Sequence, residues 1–274
     1  MADSLYHYTD AGAVKSILEL KELWMTDIRF LNDSQELNDG VVFVIDALDI
    51  VAQEFSDGDE FALKAIRELK SGFDSHVSDW INDEPIFVCS FSEAGDQLSQ
   101  WRAYGSYAIE FDSDRLVEKL GLFDCVYDRE KKIEFAFEAV KDSVHGLADD
   151  LRRYGDELPL KSLEYLSILV RTASIFKNEH FYEEREVRCA LDLQIPSSKL
   201  QFRQRGGLLV PYTPVSFSYE SIKAIHVGPM RDQDLAFTAM KAFVSNIESV
   251  IYAKAEGEHH KVRVVQSKIP YRAP

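Results

Sequence analysis

No stretch of this sequence approaches the roughly 20 consecutive apolar residues that span a bilayer, and Met1-Ala2-Asp3 begins nothing that reads as a secretory signal. The expectation is a soluble, cytoplasmic protein with no membrane partner. Cysteine is scarce. Cys89, Cys125 and Cys189 are odd in number and fall at no metal-ligand spacing, so they read as buried, reduced thiols. Basic residues are outnumbered: 31 Lys and Arg stand against 47 Asp and Glu, for a net charge of -16. That balance argues against sequence-independent binding to nucleic acid or anionic lipid, although a local basic patch stays open. GxSxG, HExxH and a glycine-rich dinucleotide fingerprint are all missing, which removes the commonest hydrolase, zinc-protease and dehydrogenase readings. His259-His260 has no third ligand at metal spacing, so no metal is expected. Repeats and low-complexity tracts are absent too.

What remains is 274 residues with 46% hydrophobic and 12% aromatic content, enough for a full core and consistent with a single domain over 1–274. The centre of the pattern is 87–112. Phe87, Cys89 and Phe91 alternate with Val88, Ser90 and Ser92, the period of a half-buried strand that puts its hydroxyls on one face. Gln97 to Tyr104 suits a short helix with Asp96 as N-cap and Gly105 as its end, and Tyr107, Ile109 and Phe111 mark another strand.

Upstream, Ser4 to Thr9 reads as a strand with Leu5, His7 and Thr9 on one face, followed by a helix capped by Asp10 with Val14, Ile17 and Leu18 inward. Leu23 to Thr26 is a second small strand. Asp33 and Glu36 have the form of a capping box opening a helix that carries Val41, Val44, Ile45 and Leu48. Phe61 to Trp80 continues as helix, and Asn82 to Pro85 turns into the central strand. Downstream, 113–178 reads as a helical insertion, either a lid or the surface for a protein partner, with helices near Asp114–Leu120, Ile133–Tyr154 and Lys161–Lys177 broken at Gly155 to Pro159. Strands return at Glu186–Leu193 and Ser221–Val227, separated by an irregular loop containing Pro and Gly. A helix near Asp232–Ile247 precedes a closing hairpin with arms Val250–Ala255 and Lys261–Val265. Strands at both ends with helices between them indicate an α+β domain.

The polar residues worth singling out are few. Val187, Cys189 and Leu191 share an apolar face, so Glu184, Glu186 and Arg188 crowd the opposite one. They form either an exposed strand face with an ordinary ion pair or a functional pair of carboxylates. A lone His7 is commonly structural, and Trp101 and Tyr104, three apart, are commonly core. Val227-Gly228-Pro229 reads as a plain turn rather than a phosphate loop.

Leu5-Tyr6-His7-Tyr8-Thr9, Leu23-Trp24, Phe30-Leu31-Asn32-Asp33 with Glu36, Cys89 to Ser92 with Trp101 and Tyr104, Glu184 to Arg188, and Ser267 to Arg272 together resemble a bacterial family known as a domain of unknown function. More distantly, a first-strand His, the Ile17-Leu18 and Leu23 stretch, a serine-bearing strand and a later Glu-x-Glu resemble the three-part signature of ADP-ribosyltransferases. That resemblance implies a mixed, split β-sheet gripping NAD. It implies that His7 and Thr9 hold the nicotinamide-side ribose and amide, that Ser90 and Ser92 support the pocket, and that Trp101, Tyr104 and Arg188 are further cofactor-binding positions, with Tyr104 stacking on the nicotinamide. Glu186 or Glu184 would be catalytic, with His7 assisting. NAD would be a substrate, and the acceptor a protein, a nucleic acid or water. A defence or toxin-like role comes with that class. Two departures stand out: Tyr8 replaces the usual small residue after His, and the glutamates run on into Val187-Arg188. The competing reading is a non-catalytic protein-binding module or nucleotide sensor in which the same residues form a buried polar network.

Overall fold

The computed structural model describes residues 2–31, 36–55, 58–74, 86–118, 120–155, 161–191, 199–253 and 259–270. The expected capping box at Asp33, the end of the helix toward Trp80, the Asn82 to Pro85 turn and most of the Gly155 to Pro159 break lie outside these residues.

Local chemistry accounts for the first elements. Strand β1 (Ser4–Thr9) stops at Asp10, whose carboxylate accepts from the Ala13 amide and caps helix α1 (Ala11–Leu20). Val14, Ile17 and Leu18 form its buried stripe. Lys21 then takes a left-handed conformation and returns the chain into β2 (Glu22–Asp27). Helices α2 (Glu36–Glu54) and α3 (Glu60–Asp74) lead to β3 (Phe87–Ser92). Next come α4 (Leu98–Tyr104), β4 (Tyr107–Asp112), α5 (Ser113–Val117), β5 (Leu122–Asp124), α6 (Arg129–Tyr154) and α7 (Lys161–Ser174). The chain closes with β6 (Glu186–Leu191), β7 (Gln201–Arg205), β8 (Leu208–Ser216), β9 (Ile222–Val227), α8 (Gln233–Tyr252) and β10 (Arg263–Gln266). The class is α+β, with a mixed sheet: β9 and β10 are parallel, and the other strand pairs are antiparallel.

The sheet is split. One half runs β10-β9-β4-β1, and the other runs β7-β8-β2-β3-β6-β5. β6 pairs along the whole outer edge of β3, from Phe87↔Leu191 to Ser92↔Glu186. The inner edge of β3 is shared: β2 takes only Phe87 and Val88, and β1 meets it only at Tyr6↔Ser92. A seam opens between those two points.

Two cores flank the sheet. On one side α2, α3, α6 and α7 pack together over Val88 and Ala190, through Val44, Leu48, Leu69 and Phe73 among others. On the other side Phe87, Cys89, Phe91, Val187 and Cys189 meet α1 and α8. The alternation expected in β3 and β6 is therefore the alternation between these two sides. The apolar faces of α6 and α7 pack against α2, α3 and the sheet, which sets the helical section against the body of the fold.

Three local expectations fail. Val250 to Tyr252 continue α8 instead of opening a hairpin, and β10 joins β9 in parallel, Arg263↔Ala224 to Gln266↔Val227. The irregular loop before β9 contains a hairpin, β7 and β8, turned by Gly206-Gly207 with Gly206 at φ +60, as a glycine-first two-residue turn requires. Asp96 does not cap α4, whose N-cap is Gln97 with no side-chain bond. It accepts instead from Trp101 Nε1 (2.8 Å), Ser267 Oγ (2.6 Å) and the Lys268 amide (3.2 Å), tying the C-terminal segment to α4.

Candidate functional site

The seam in the sheet opens into a cavity of about 500 Å³, within the range that takes cofactor-sized ligands. His7, Thr9, Ser90, Ser92, Tyr104, Glu184, Glu186 and Arg188, each expected from the sequence, line it. Trp101 does not. It is buried beneath Tyr8, with ring centroids 4.6 Å apart, and its indole N–H is spent on Asp96. Trp101 is thus a packing residue that holds β1 and α4 together.

β1 delivers His7 into the seam. Its Nδ1 lies 2.9 Å from the carbonyl oxygen of Ser90, on the stretch of β3 whose inner edge neither β1 nor β2 pairs. A carbonyl only accepts, so Nδ1 carries the hydrogen and Nε2 keeps a lone pair. Burial lowers the His7 pKa, the Ser90 bond opposes that, and the charge of Arg203 adds to the lowering, so the ring is neutral at pH 7. Thr9 ends β1 against Gly105, which sits at φ +133 and where a Cβ would collide with the Thr9 carbonyl. A glycine is needed there to fold α4 back beside β1.

β3 and β6 supply the floor. The register Ser92↔Glu186 and Ser90↔Arg188 places both hydroxyls beside the charged pair on one face. Ser92 Oγ donates to the Glu184 carbonyl at 2.6 Å and accepts from the Ala94 amide. It therefore anchors the 3-10 turn Glu179–Glu184. Arg185 follows that turn at φ +44, a left-handed conformation that is strained for arginine. This backbone reversal lets Glu184 and Glu186, two apart in sequence, converge on one cation.

That cation is Lys177. Its Nζ binds Glu184 Oε2 at 2.6 Å and also pairs with Glu186 Oε2. Glu186 Oε1 accepts from Arg188 Nε at 2.6 Å, and Arg188 Nη1 donates to the Ser174 carbonyl at the C-terminus of α7. Glu186 and Arg188 are buried, at 6% and 1% exposure, so the reading of them as an exposed strand face with an ordinary ion pair does not hold. Burial would raise the Glu186 pKa, but Arg188 and Lys177 together overrule it and hold the carboxyl at about 2. Glu184 lies nearer the opening and receives the Tyr104 hydroxyl at 3.3 Å. Burial raises the Tyr104 pKa, so the phenol is a donor at neutral pH. The helical section thus contributes directly: α7 ends where it receives Arg188, and Lys177 follows three residues later.

The opposite wall was not anticipated. Trp24 and Thr26 of β2 line it together with Arg203 and Arg205 of β7. Lys177 stands at the end of the expected helix Lys161–Lys177, and nothing local distinguishes it. For the arginines, the Gly206-Gly207 pair between Gln201–Arg205 and Leu208–Val210 is a two-residue hairpin signature that would have placed them on a strand.

The remaining candidates are occupied elsewhere. The Gly228 amide donates to Ser106, and His259 stacks on Tyr252 while His260 Nε2 lies 2.6 Å from the Ile222 carbonyl. No cluster of metal-ligating side chains occurs among the described residues, and no helix there is long and apolar enough to cross a membrane. Comparison with family models, curated proteins and solved structures returns no match.

Proposed function

We propose that this chain is an NAD-using enzyme, an ADP-ribosyltransferase or NAD glycohydrolase that passes ADP-ribose to a macromolecular acceptor or to water. The observation that carries the proposal is the convergence of His7, Thr9, Ser90, Ser92, Tyr104, Glu184 and Glu186, from distant segments, on one cavity at the split of the sheet. In this reading His7 Nε2 accepts a hydrogen bond from the ribose or the carboxamide, and the Tyr104 ring packs on the nicotinamide. Cleavage breaks the bond between ribose C1′ and the ring nitrogen. The electron pair leaves with nicotinamide and neutralises its charge, while C1′ becomes oxocarbenium-like. Glu184, at the open side of the ion cluster, stabilises that cation and orients the nucleophile. Glu186, already committed to Lys177 and Arg188, is a positioning residue.

A second reading, a nucleotide sensor without turnover, is favoured by one observation: Glu186 is bound to two cations and held at about 2, which suits a structural network more than a base. The test is an NAD titration by calorimetry with nicotinamide release followed alongside. Binding with release supports the enzyme. Binding without release, over a range of candidate protein and nucleic-acid acceptors, supports the sensor. Absence of binding at millimolar NAD removes the enzyme and an NAD sensor alike.

A further inference from the structure

The charges around the cavity are unevenly matched. At the β6 end, Lys177 and Arg188 meet Glu184 and Glu186. At the β7 end, Arg203 and Arg205 line the same space, and among the described residues no carboxylate lies within ion-pair distance of either. Arg203 is half-buried and fixed. Its Nη2 donates to Thr26 Oγ1 at 2.8 Å, and its guanidinium lies 5.5 Å from the Trp24 ring centre and 5.9 Å from that of Tyr212. Trp24 and Tyr212 are themselves stacked, with centroids 4.5 Å apart. Arg205 Nη2 donates to the Phe30 carbonyl at 2.8 Å. Each fork is thus oriented through one nitrogen, and among the described residues no partner takes its other donors.

Two like charges at alternate positions of one strand repel, and burial, with Arg205 adding to it, lowers the Arg203 pKa. This happens in a chain of net charge -16, so general basicity does not explain the pair. A bound anion would reverse the penalty, and a planar guanidinium matches phosphate oxygens bidentately.

We propose that Arg203 and Arg205, oriented by Thr26, Trp24 and Phe30, form a subsite for the diphosphate of a nucleotide ligand. The placement rests on the NAD reading for the identity of the ligand but not for its charge. It also orders the cavity: diphosphate at the β7 end, and the cationic nicotinamide riboside at the carboxylates of the 3-10 turn and β6.

The test is calorimetry of the full chain with inorganic pyrophosphate, ADP-ribose, NAD and nicotinamide riboside, which lacks the diphosphate. Arg203→Gln and Arg205→Gln are compared with Lys199→Gln, an exposed cation just before β7 that does not line the cavity. Melting curves check folding, and exposed Arg205 carries the test if Arg203→Gln does not fold. The subsite predicts that Arg203→Gln weakens pyrophosphate and ADP-ribose by about tenfold or more, as expected for lost charge-assisted bonds, while Lys199→Gln and all nicotinamide riboside affinities stay within about twofold. Wild-type affinity for ADP-ribose in a folded Arg203→Gln, an equal loss in Lys199→Gln, or no binding of pyrophosphate and ADP-ribose at millimolar concentration would overturn it. The two proposals separate cleanly. Pyrophosphate binding through Arg203 without NAD binding removes the NAD reading and keeps the subsite, whereas NAD binding indifferent to both arginines does the reverse.

Discussion

His7 Nδ1 donates to the Ser90 carbonyl at 2.9 Å, so a side chain of β1 takes the place of a backbone amide in the middle of the seam with β3. The split is held open and satisfied by the same residue. His7→Ala leaves that carbonyl without its partner, and the expected cost is about 1–3 kcal/mol, measurable by urea unfolding. His7→Gln, whose amide can still donate, is expected to recover part of it. Equal stability of His7→Ala and wild type would mean the bond is replaceable by solvent.

The same residue sets a pH dependence. Its folded pKa lies below the ordinary 6.5, so the unfolded chain binds the proton first as pH falls. Stability from this group is therefore complete above about 6.5 and declines below it, toward the lowered folded value. His7→Gln is expected to flatten the stability profile between pH 6.5 and the onset of carboxylate titration, measured as urea midpoints across that window.

Glu186 acts further down the scale. A carboxyl held at about 2 instead of 4.5 contributes on the order of 3 kcal/mol that is present above about pH 4.5 and lost as pH falls toward 2. Lys177→Met leaves two carboxylates facing each other and is expected to cost about 3–5 kcal/mol. Adding Glu184→Gln to it should restore part of the loss, a coupling that a double-mutant cycle reads directly.

How much of this was legible follows from the kind of signal each residue leaves. The Asp10 cap, the stripe of α1, the alternation of β3 and the crowding of Glu184, Glu186 and Arg188 are local patterns, and the structure contains them. Val250-Ile251-Tyr252 has strand propensity but continues α8, where Ile251 and Tyr252 pack against the core beneath it, so tertiary contact overrides local preference. β7 has no apolar face to alternate, because Arg203 and Arg205 line a cavity while Phe202 on the other side is exposed. Lys177 leaves no local trace at all. Its role exists only because Arg185 turns the chain so that two glutamates meet it.

The carboxylates are expected to separate by readout. Glu186→Gln should lower stability through the buried cluster, whereas Glu184→Gln, which leaves Lys177 paired with Glu186, should lower the melting temperature less than Glu186→Gln does.

The most direct measurement is therefore nicotinamide release from NAD by wild type and by Glu184→Gln, with NAD affinity determined on the same preparations. Release by wild type is expected, and in Glu184→Gln retained NAD binding with release reduced by about a hundredfold or more, the scale of losing a transition-state charge contact. Release that persists in Glu184→Gln at the wild-type rate, or a wild type that binds no NAD, would contradict that expectation.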